Sequence, residues 1–341
     1  MNLKEKILGC LLGAAIGDAM GAATEMRTTE QIKEFFGEKV TTFIAPPMDT
    51  FARGNKPGQV TDDFSIAYVA IETILENGKI NDEVAKEALL RWGDIEEFFS
   101  RFAGPTTRAA IEALRTGVPV EDKWGFKLVC ENDKATNGAA MKASPLATLS
   151  LGDVDKAFMN SMILSMPTHD NNTALSGAAL VACATATALN EGSTLDDILE
   201  SALEGAKKGD DYGRKNAKTL SNPSVYEKSK LAIAYAANSE NMDDLIEIVA
   251  DIVGTSVYAY DSVPAAIAFV AKLKDDPMEP IIAAVNVGND TDSIATIVGG
   301  IAGALLGYKA FPSEYLDIIN EANGYDLEKL AEEIIEKSEV L

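Results

Sequence analysis

Residues 9–21 of this chain read GCLLGAAIGDAMG, an apolar run with a glycine at every fourth position. In a helix predicted over residues 3–23, this spacing aligns the glycines along one side. Glycine destabilises a helix interior by roughly 1 kcal/mol relative to alanine, so its repeated use predicts the close approach of another helix or a ligand. Gly299, Gly303 and Gly307 form a second series with the same spacing. In a membrane such a face would dimerise helices, but we predict that the two glycine ridges pack together in a soluble core.

The composition of the chain favours an all-α fold. Of 341 residues, 47% are hydrophobic, 24% are charged and 7% are aromatic, a globular profile rich in small side chains. β-Branched alternation is scarce and turn signals do not recur at strand spacing, so no series of strands is predicted. Residues 93–107 are predicted to be irregular. Helical periodicity predicts further helices at 64–75, 81–92, 107–114, 154–162, 174–189, 195–207, 225–237, 242–253, 263–273 and 326–337, all within one domain over residues 1–341.

Charge and cysteine content exclude several classes of function. The chain has 30 Lys and Arg against 53 Asp and Glu, and this net charge of −23 makes nucleic acid and anionic membranes poor partners. Cys10, Cys130 and Cys183 are too scattered for a disulfide framework or a thiolate metal site. The N-terminus lacks a signal-peptide core, and the longest apolar stretch, residues 294–308, is too short to span a bilayer. We therefore expect a cytoplasmic protein, and the sequence leaves its oligomeric state open.

Two short acidic clusters each open an apolar helical run. The first is Thr-Asp-Asp at residues 61–63, and the second is Asp-Thr-Asp-Ser at residues 290–293. Carboxylate and hydroxyl oxygens are hard ligands that suit Mg²⁺, Mn²⁺ or Ca²⁺. Each cluster alone has the simpler interpretation of a capped helix N-terminus, where the helix dipole favours negative charge. Because both clusters open glycine-spaced or apolar helices, a metal site is the leading hypothesis if the two clusters meet in the fold.

The order of several short motifs resembles that of the ADP-ribosylglycohydrolases, a family that includes the dinitrogenase-reductase-activating glycohydrolases. The glycine ridge at residues 9–21, followed by Glu25, looks like the start of that family. Residues 61–63 and 288–293 resemble its two metal motifs. Asn-Gly-Ala-Ala-Met-Lys-Ala-Ser-Pro at residues 137–145 is similar to its asparagine-glycine segment, and Thr-His at residues 168–169 matches its threonine-histidine step. The resemblance extends over nearly the whole chain.

The resemblance implies a compact orthogonal helical bundle, all-α, with a dinuclear Mg²⁺ or Mn²⁺ centre in a cleft. By position, the implied metal ligands are Thr61, Asp62, Asp63, Asp290, Asp292 and Ser293. Glu25 is implied nearby as a ligand or an acid/base group, and Glu25 and Asp63 are the candidates for proton transfer in catalysis. The implied lining of an ADP-ribose pocket is Asn137, Gly138 and His169.

Three positions depart from the family pattern. Ser293 replaces the usual threonine and keeps the hydroxyl group, and Asp261 replaces a glutamate. Lys142 replaces an arginine, which keeps the charge but loses the planar fork suited to a diphosphate. His169 has two interpretations of equal weight, a neutral structural histidine and a substrate contact.

These features predict a hydrolase that removes ADP-ribose from a modified protein or a small-molecule acceptor by cleaving an N- or O-glycosidic bond at ribose. Such a reaction passes through a cation-like transition state, and metal ions can orient the ribose hydroxyls and activate a water. One alternative is an N-glycosidase for a small nucleoside-like ribosyl metabolite, which Lys142 mildly favours. Another is a catalytically silent, crystallin-like relative, which the intact aspartates at the metal positions argue against.

Other aromatic and basic residues have simpler interpretations. Trp92, Trp124 and Tyr212 could stack on an adenine, but we expect them to anchor the core or loops. The locally basic segment from Lys207 to Lys218 could dock a phosphate or an acidic partner, but we expect it to be a solvated loop.

Overall fold

The computed structural model describes residues 1–118 and 131–339. Across these two ranges the chain forms seventeen α-helices and no β-strand, which confirms the all-α prediction. The helices are α1 Leu3–Gly21, α2 Thr29–Phe36, α3 Asp62–Asn77, α4 Asp82–Gly93, α5 Glu96–Phe102, α6 Pro105–Thr116, α7 Ala143–Ala147, α8 Val154–Ser165, α9 Asn172–Leu189, α10 Leu195–Asn216, α11 Val225–Asn238, α12 Met242–Ile248, α13 Ala259–Val270, α14 Met278–Val285, α15 Thr291–Leu306, α16 Tyr315–Asn323 and α17 Leu327–Ser338.

The two glycine ridges pack directly against each other, as predicted. Helices α1 and α15 run antiparallel, and a Cβ atom built on Gly13 would lie 2.1 Å from the carbonyl oxygen of Gly299. One turn further along, a Cβ on Gly303 would lie 1.9 Å from the carbonyl oxygen of Gly9. Only hydrogen fits at such distances, so the missing side chains allow the two backbones to touch. The same packing places the start of α15 beside the end of α1.

Helix α9 forms the centre of the molecule. It packs against α8 and α10 and contributes an almost wholly buried run of small and apolar residues. By length and composition it is the one helix in the described ranges that could cross a membrane, but the whole of that window is buried inside the protein. A buried core helix has the same apolar composition as a membrane-spanning helix, so packing in the core accounts for the apolar sequence of α9. Cys183 on α9 and Cys10 on α1 are buried free thiols.

Short elements account for most differences from the predicted helices. Helices α2, α14 and α16 were not predicted, although the capping box of Thr28 and Gln31 marks the start of α2. Residues 93–107, predicted to be irregular, contain α5 and the start of α6. No side chain caps α5, and its Phe98 ring stacks on Trp92 of α4 with 6.3 Å between centroids. Tertiary packing therefore stabilises α5, and the local sequence alone does not indicate that packing.

Helix α10 is longer than its sequence indicated. It was predicted to end at residue 207 but continues to Asn216, so the interpretation of the basic segment as a solvated loop is wrong. Within it, the Arg214 Nε atom donates to Asp210 Oδ2 one turn earlier, at 2.6 Å. After the helix, Lys218 lies 3.0 Å from a Glu131 carboxylate oxygen. These ion pairs neutralise much of the local positive charge.

Two of the three aromatic residues considered for adenine stacking are packing residues, as expected. Trp92 is fully buried, and its indole Nε1 donates to Ser65 Oγ at 2.9 Å. Tyr212 packs edge-to-face against Phe158. Trp124 and Cys130 lie outside the described residues.

Candidate active site

Acidic side chains from three segments of the chain meet at one point. Carboxylate oxygens of Glu25, Asp290 and Asp292 lie within 4.8 Å of one another. The glycine ridge causes this meeting, because a Cβ on Gly21, at the end of α1, would lie 2.5 Å from the Cα of Asp292 at the start of α15. The start of α3 joins the same site, because burial and then the charge of Asp292 raise the pKa values of Asp62 and Asp63. The two acidic clusters recognised in the sequence are therefore parts of one structural site.

The first turn of α3 is capped by a side chain, and one carboxylate oxygen in this turn has no hydrogen-bond partner. Thr61 is the N-cap residue, and its Oγ1 lies 3.5 Å from the backbone nitrogen of Asp63, which donates to it. Asp63 is buried, and its Oδ1 has no hydrogen-bond partner, whereas Asp62 is half-buried. Buried carboxylate oxygens are nearly always paired, so this unpaired oxygen is an acceptor available to a ligand.

Asp18 connects the glycine ridge to this turn, and the sequence analysis missed it as a functional residue. It is fully buried and accepts hydrogen bonds from the Thr61 backbone nitrogen at 3.0 Å and from the Phe64 backbone nitrogen at 2.9 Å. The Thr61 hydroxyl also donates to Asp18, at 2.8 Å. A hydroxyl oxygen has two lone pairs, and the Asp63 backbone nitrogen donates to one of them, so the other remains available to a cation. Asp18 was detectable as the only charged residue between Ile7 and Gly21.

A pair of loops fixes Glu25 next to the second acidic cluster. The backbone nitrogen of Met26 donates to the carbonyl of Asn289 at 2.8 Å, and the backbone nitrogen of Asn289 donates to the carbonyl of Arg27 at 2.7 Å. Met26 and Asn289 both have left-handed backbone conformations, with φ of 64° and 63°. Non-glycine residues rarely adopt this conformation, which persists where the surrounding structure enforces it. The two strained residues directly precede Arg27 and Asp290.

The start of α15 is held by contacts from distant loops. The Asp290 backbone nitrogen donates to the carbonyl of Thr255 at 3.1 Å. The Asn137 side-chain nitrogen donates to Asp290 Oδ2 and, at 2.9 Å, to Ser262 Oγ. Within the cluster, the Ser293 backbone nitrogen donates to Asp292 Oδ1 at 3.0 Å. Asn137, expected to contact the substrate, thus lies against the carboxylate cluster and orients one of its members.

His169 lies behind the backbone of the asparagine-glycine segment. It is 1% exposed; its Nε2 lies 2.9 Å from Thr136 Oγ1 and its Nδ1 lies 2.7 Å from Thr168 Oγ1. A Cβ on Gly138 would lie 2.8 Å from His169 Cε1, so the ring supports that turn directly. Burial, and then the nearby charge of Lys142, lower the pKa of His169 to about 3. This geometry favours the interpretation of His169 as a neutral histidine that shapes the wall of the site.

Six carboxyl groups share this site without a balancing side-chain cation. Burial first, and the charge of Asp292 second, raise the pKa of Glu25 to about 10 and that of Asp18 to about 7. The same two causes raise the pKa values of Asp62, Asp63 and Asp290 well above the usual range. Burial raises the pKa of Asp292 itself to about 6. Among the described residues, no Lys, Arg or His forms an ion pair with any of the six.

The site fits divalent cations by its donor chemistry. It offers only oxygen atoms, from carboxylates and from the Thr61 and Ser293 hydroxyls, which are the ligands preferred by Mg²⁺ and Mn²⁺. The unpaired Asp63 Oδ1 supplies a buried acceptor with no donor. Mutual repulsion among buried carboxylates is relieved when a cation binds between them.

The fold and the site together define a class of protein: an all-α protein with buried carboxylates at the start of two helices. The model of the ADP-ribosylglycohydrolase family matches residues 1–340, and the chain belongs to that family. It is 30% identical over 330 residues to the uncharacterized protein YegU of Escherichia coli, covering 96% of this chain and 95% of that protein. It is 26% identical over 341 residues to the ADP-ribosylarginine hydrolase Tri1 of Pseudomonas putida, covering 98% of this chain and 79% of that protein.

A solved structure shows the same fold. The chain superimposes on a structure described as an ADP-ribosylglycohydrolase-related protein complex with a TM-score of 0.70, covering 99% of each chain at 24% sequence identity. The resemblance inferred from the sequence motifs is thereby confirmed for family and fold.

The Asp18→Asn variant is expected to bind Mn²⁺ about 10–100-fold more weakly than the wild type, the usual effect of losing a group that orients a ligand. Asparagine keeps the size of the side chain but provides one acceptor oxygen where Thr61 and Phe64 now share two. Calorimetric titration with Mn²⁺ measures the effect. Asp155→Asn, at a side chain that is 92% exposed on α8, is the control. Equal affinity in both variants would show that Asp18 does not position Thr61.

The protein in chelator is expected to lose stability as the pH rises from about 5 to 7. The folded-state pKa values of Asp18 and Asp292, about 7 and 6, exceed the ordinary aspartate value of 3.8. The folded state therefore holds more protons than the unfolded state in this range, and stability falls as those protons are lost. We expect the thermal midpoint to drop by several degrees in EDTA and to drop less with Mg²⁺ or Mn²⁺. A midpoint in EDTA that is constant or rises would contradict the carboxylate repulsion.

Proposed function

We propose that this protein is a divalent-metal-dependent hydrolase that releases ADP-ribose from a modified acceptor. Membership of the family supports hydrolysis of ADP-ribosyl bonds in general. The observation that carries the metal dependence is the convergence of the Glu25, Asp290 and Asp292 carboxylates, whose oxygens lie within 4.8 Å of one another. Asp18, Asp62 and Asp63 lie close enough to be coupled electrostatically to Asp292, and in the described ranges no side-chain cation pairs with any of the six. A cluster of like charges destabilises a fold, so its presence calls for a functional ligand.

The proposed ligands are side chains whose oxygens converge from α3 and α15. They are Thr61, Asp62, Asp63, Asp290, Asp292 and Ser293, with Glu25 beside them. When bound, two Mg²⁺ or Mn²⁺ ions would orient the ribose hydroxyls and lower the pKa of a water for the attack. Asp18 and Asn137 would hold the ligand side chains in place, because each is bonded to one of them.

Glu25 and Asp63 are the proposed groups for proton transfer. Glu25 is half-buried and follows α1, where a substrate can reach it, so its carboxyl group is placed to donate a proton to a leaving group. Asp63 is buried and has one oxygen without a donor. A carboxyl pair of this kind can donate one proton to the departing acceptor and accept another from the attacking water.

The proposed substrate carries ADP-ribose on a protein or a small molecule. The wall formed by Asn137, Gly138 and His169 adjoins the carboxylate cluster through the bond from Asn137 to Asp290. We propose that the ribose contacts this junction. Because a relative of this chain is named an ADP-ribosylarginine hydrolase, ADP-ribosylated arginine is the first acceptor to test.

The test is the release of ADP-ribose from peptides modified on arginine or on serine, with Mg²⁺, with Mn²⁺ and with EDTA. We expect release that depends on metal and is lost in EDTA. Release that continues in EDTA would refute the metal dependence. Calorimetric titration with ADP-ribose distinguishes this function from that of a nucleoside-like N-glycosidase. A metal-loaded protein that does not bind ADP-ribose would point to a smaller nucleoside-like ribosyl substrate.

A further inference from the structure

Two lysines are buried to the same extent in this protein, but only one of them has partners. Lys6 and Lys142 are each 6% exposed. The Lys6 ammonium donates to the carbonyl oxygens of Ala188 and Asn190 at the end of α9, at 2.6 and 2.8 Å. Lys142 has neither a hydrogen-bond acceptor nor an ion-pair partner among the described residues. An unpaired buried ammonium is costly, so Lys142 needs either a partner from outside the chain or the loss of its proton.

Lys142 lines a small cavity between helices α3, α4, α7 and α8. The volume is about 20 Å³, which is room for a single water-sized species and too little for a phosphate group. Most of the lining is alanine, leucine and isoleucine, and its polar side chains are Lys142 and Thr168. No carboxylate lines it. Lys142 is therefore not placed to contact a diphosphate in this cavity, although that is the role that an arginine would suggest at this position.

Thr168 can supply a second donor to the same cavity. Its Oγ1 lies 2.7 Å from His169 Nδ1, while His169 Nε2 lies 2.9 Å from Thr136 Oγ1. In the neutral tautomer protonated at Nδ1, the ring donates to Thr168, and the Thr168 hydroxyl proton is free for another acceptor. The acceptor available within the chain is the carbonyl of Ser165, at a long 3.4 Å. Lys142 and Thr168 thus bring an ammonium and a hydroxyl group to the lining of a cavity whose other lining side chains carry no acceptor.

We propose that Lys142 and Thr168 bind a chloride-sized monovalent anion in this cavity, directly behind the wall formed by Gly138 and His169. The anion supplies the acceptor that the Lys142 ammonium lacks, offers Thr168 an alternative to the long bond to Ser165, and balances the lysine charge. Burial lowers the pKa of Lys142 to about 8, so without an anion the amine is poorly held in its charged form near neutral pH. This binding site is separate from the carboxylate cluster and does not depend on the hydrolase activity.

Bromide is the probe for the site, because its anomalous scattering identifies it in a crystal. We expect crystals of the wild type soaked in sodium bromide to show a bromide between Lys142 and Thr168. The isosteric Lys142→Met variant should lose this bromide, and the matched Lys6→Met variant should retain it. An empty cavity in the wild type, or a bromide that persists in Lys142→Met, would overturn the proposal.

A measurement on the wild type in solution covers the case in which Lys142→Met does not fold. Chloride affinity, from the width of the ³⁵Cl resonance, should fall about tenfold between pH 7 and 9 as the lysine loses its proton. His169, the one titratable neighbour whose pKa responds to the charge of Lys142, is neutral throughout this range. Affinity that does not change with pH would refute a site built on the Lys142 ammonium.

Discussion

Asp292→Asn is expected to reduce kcat/KM by at least about 10³-fold, the loss expected when several kcal/mol of cation-based stabilisation disappear. The same variant should be more thermostable than the wild type in chelator. Both effects have one cause: after burial, the charge of Asp292 is the largest cause of the raised pKa of each of the other five carboxyl groups. Removing it takes away a ligand from the metal-loaded protein and a repulsion from the metal-free protein.

Opposite changes in activity and stability distinguish this result from simple damage to the fold. Activity is measured as ADP-ribose release with Mn²⁺, and stability as the thermal midpoint in EDTA. Asp155→Asn, at the exposed position on α8, should change neither quantity. If Asp292→Asn kept its activity, the metal mechanism would be wrong; if it lost stability in EDTA, the repulsion at the site would be wrong.

Gly299→Ala is expected to lower the free energy of unfolding by about 3 kcal/mol or more, or to prevent folding. A Cβ there would lie 2.0 Å from the carbonyl oxygen of Gly13 and 2.6 Å from its carbonyl carbon. These are backbone atoms of α1, which cannot rotate away as a side chain can. The helices must separate, and with them the two halves of the carboxylate site. Urea unfolding followed by circular dichroism measures the loss.

Gly104→Ala is the matched control for the glycine ridge. Gly104 precedes α6 with φ of −62°, and no atom lies within 4 Å of a Cβ built there. Its replacement should change stability by less than about 1 kcal/mol, the scale of an N-cap substitution. Equal stability of the two alanine variants would mean that the ridge contact can relax at little cost.

Parts of the site could be predicted from the sequence because they depend on near neighbours. Thr61 caps α3 through the residues that directly follow it, so its position was readable. Asp18 was missed because its partners, Thr61 and Phe64, lie on another helix, far along the chain. The contact between Asn137 and Asp290 was hidden for the same reason. Helix α5 was missed because packing on Trp92 holds it in the absence of a side-chain cap.

The sequence by itself determined the all-α character, most helices and the close contact between the ridges of α1 and α15, because helical period, capping and the absence of a Cβ are local properties. Only the tertiary structure decided that Glu25, Asp290 and Asp292 converge with three further carboxyl groups beside them. It also decided that both ring nitrogens of His169 are hydrogen-bonded and that Lys142 is buried with no acceptor among the described residues. Burial and charge coupling depend on which distant segments enclose the same space, and that is settled when the helices pack.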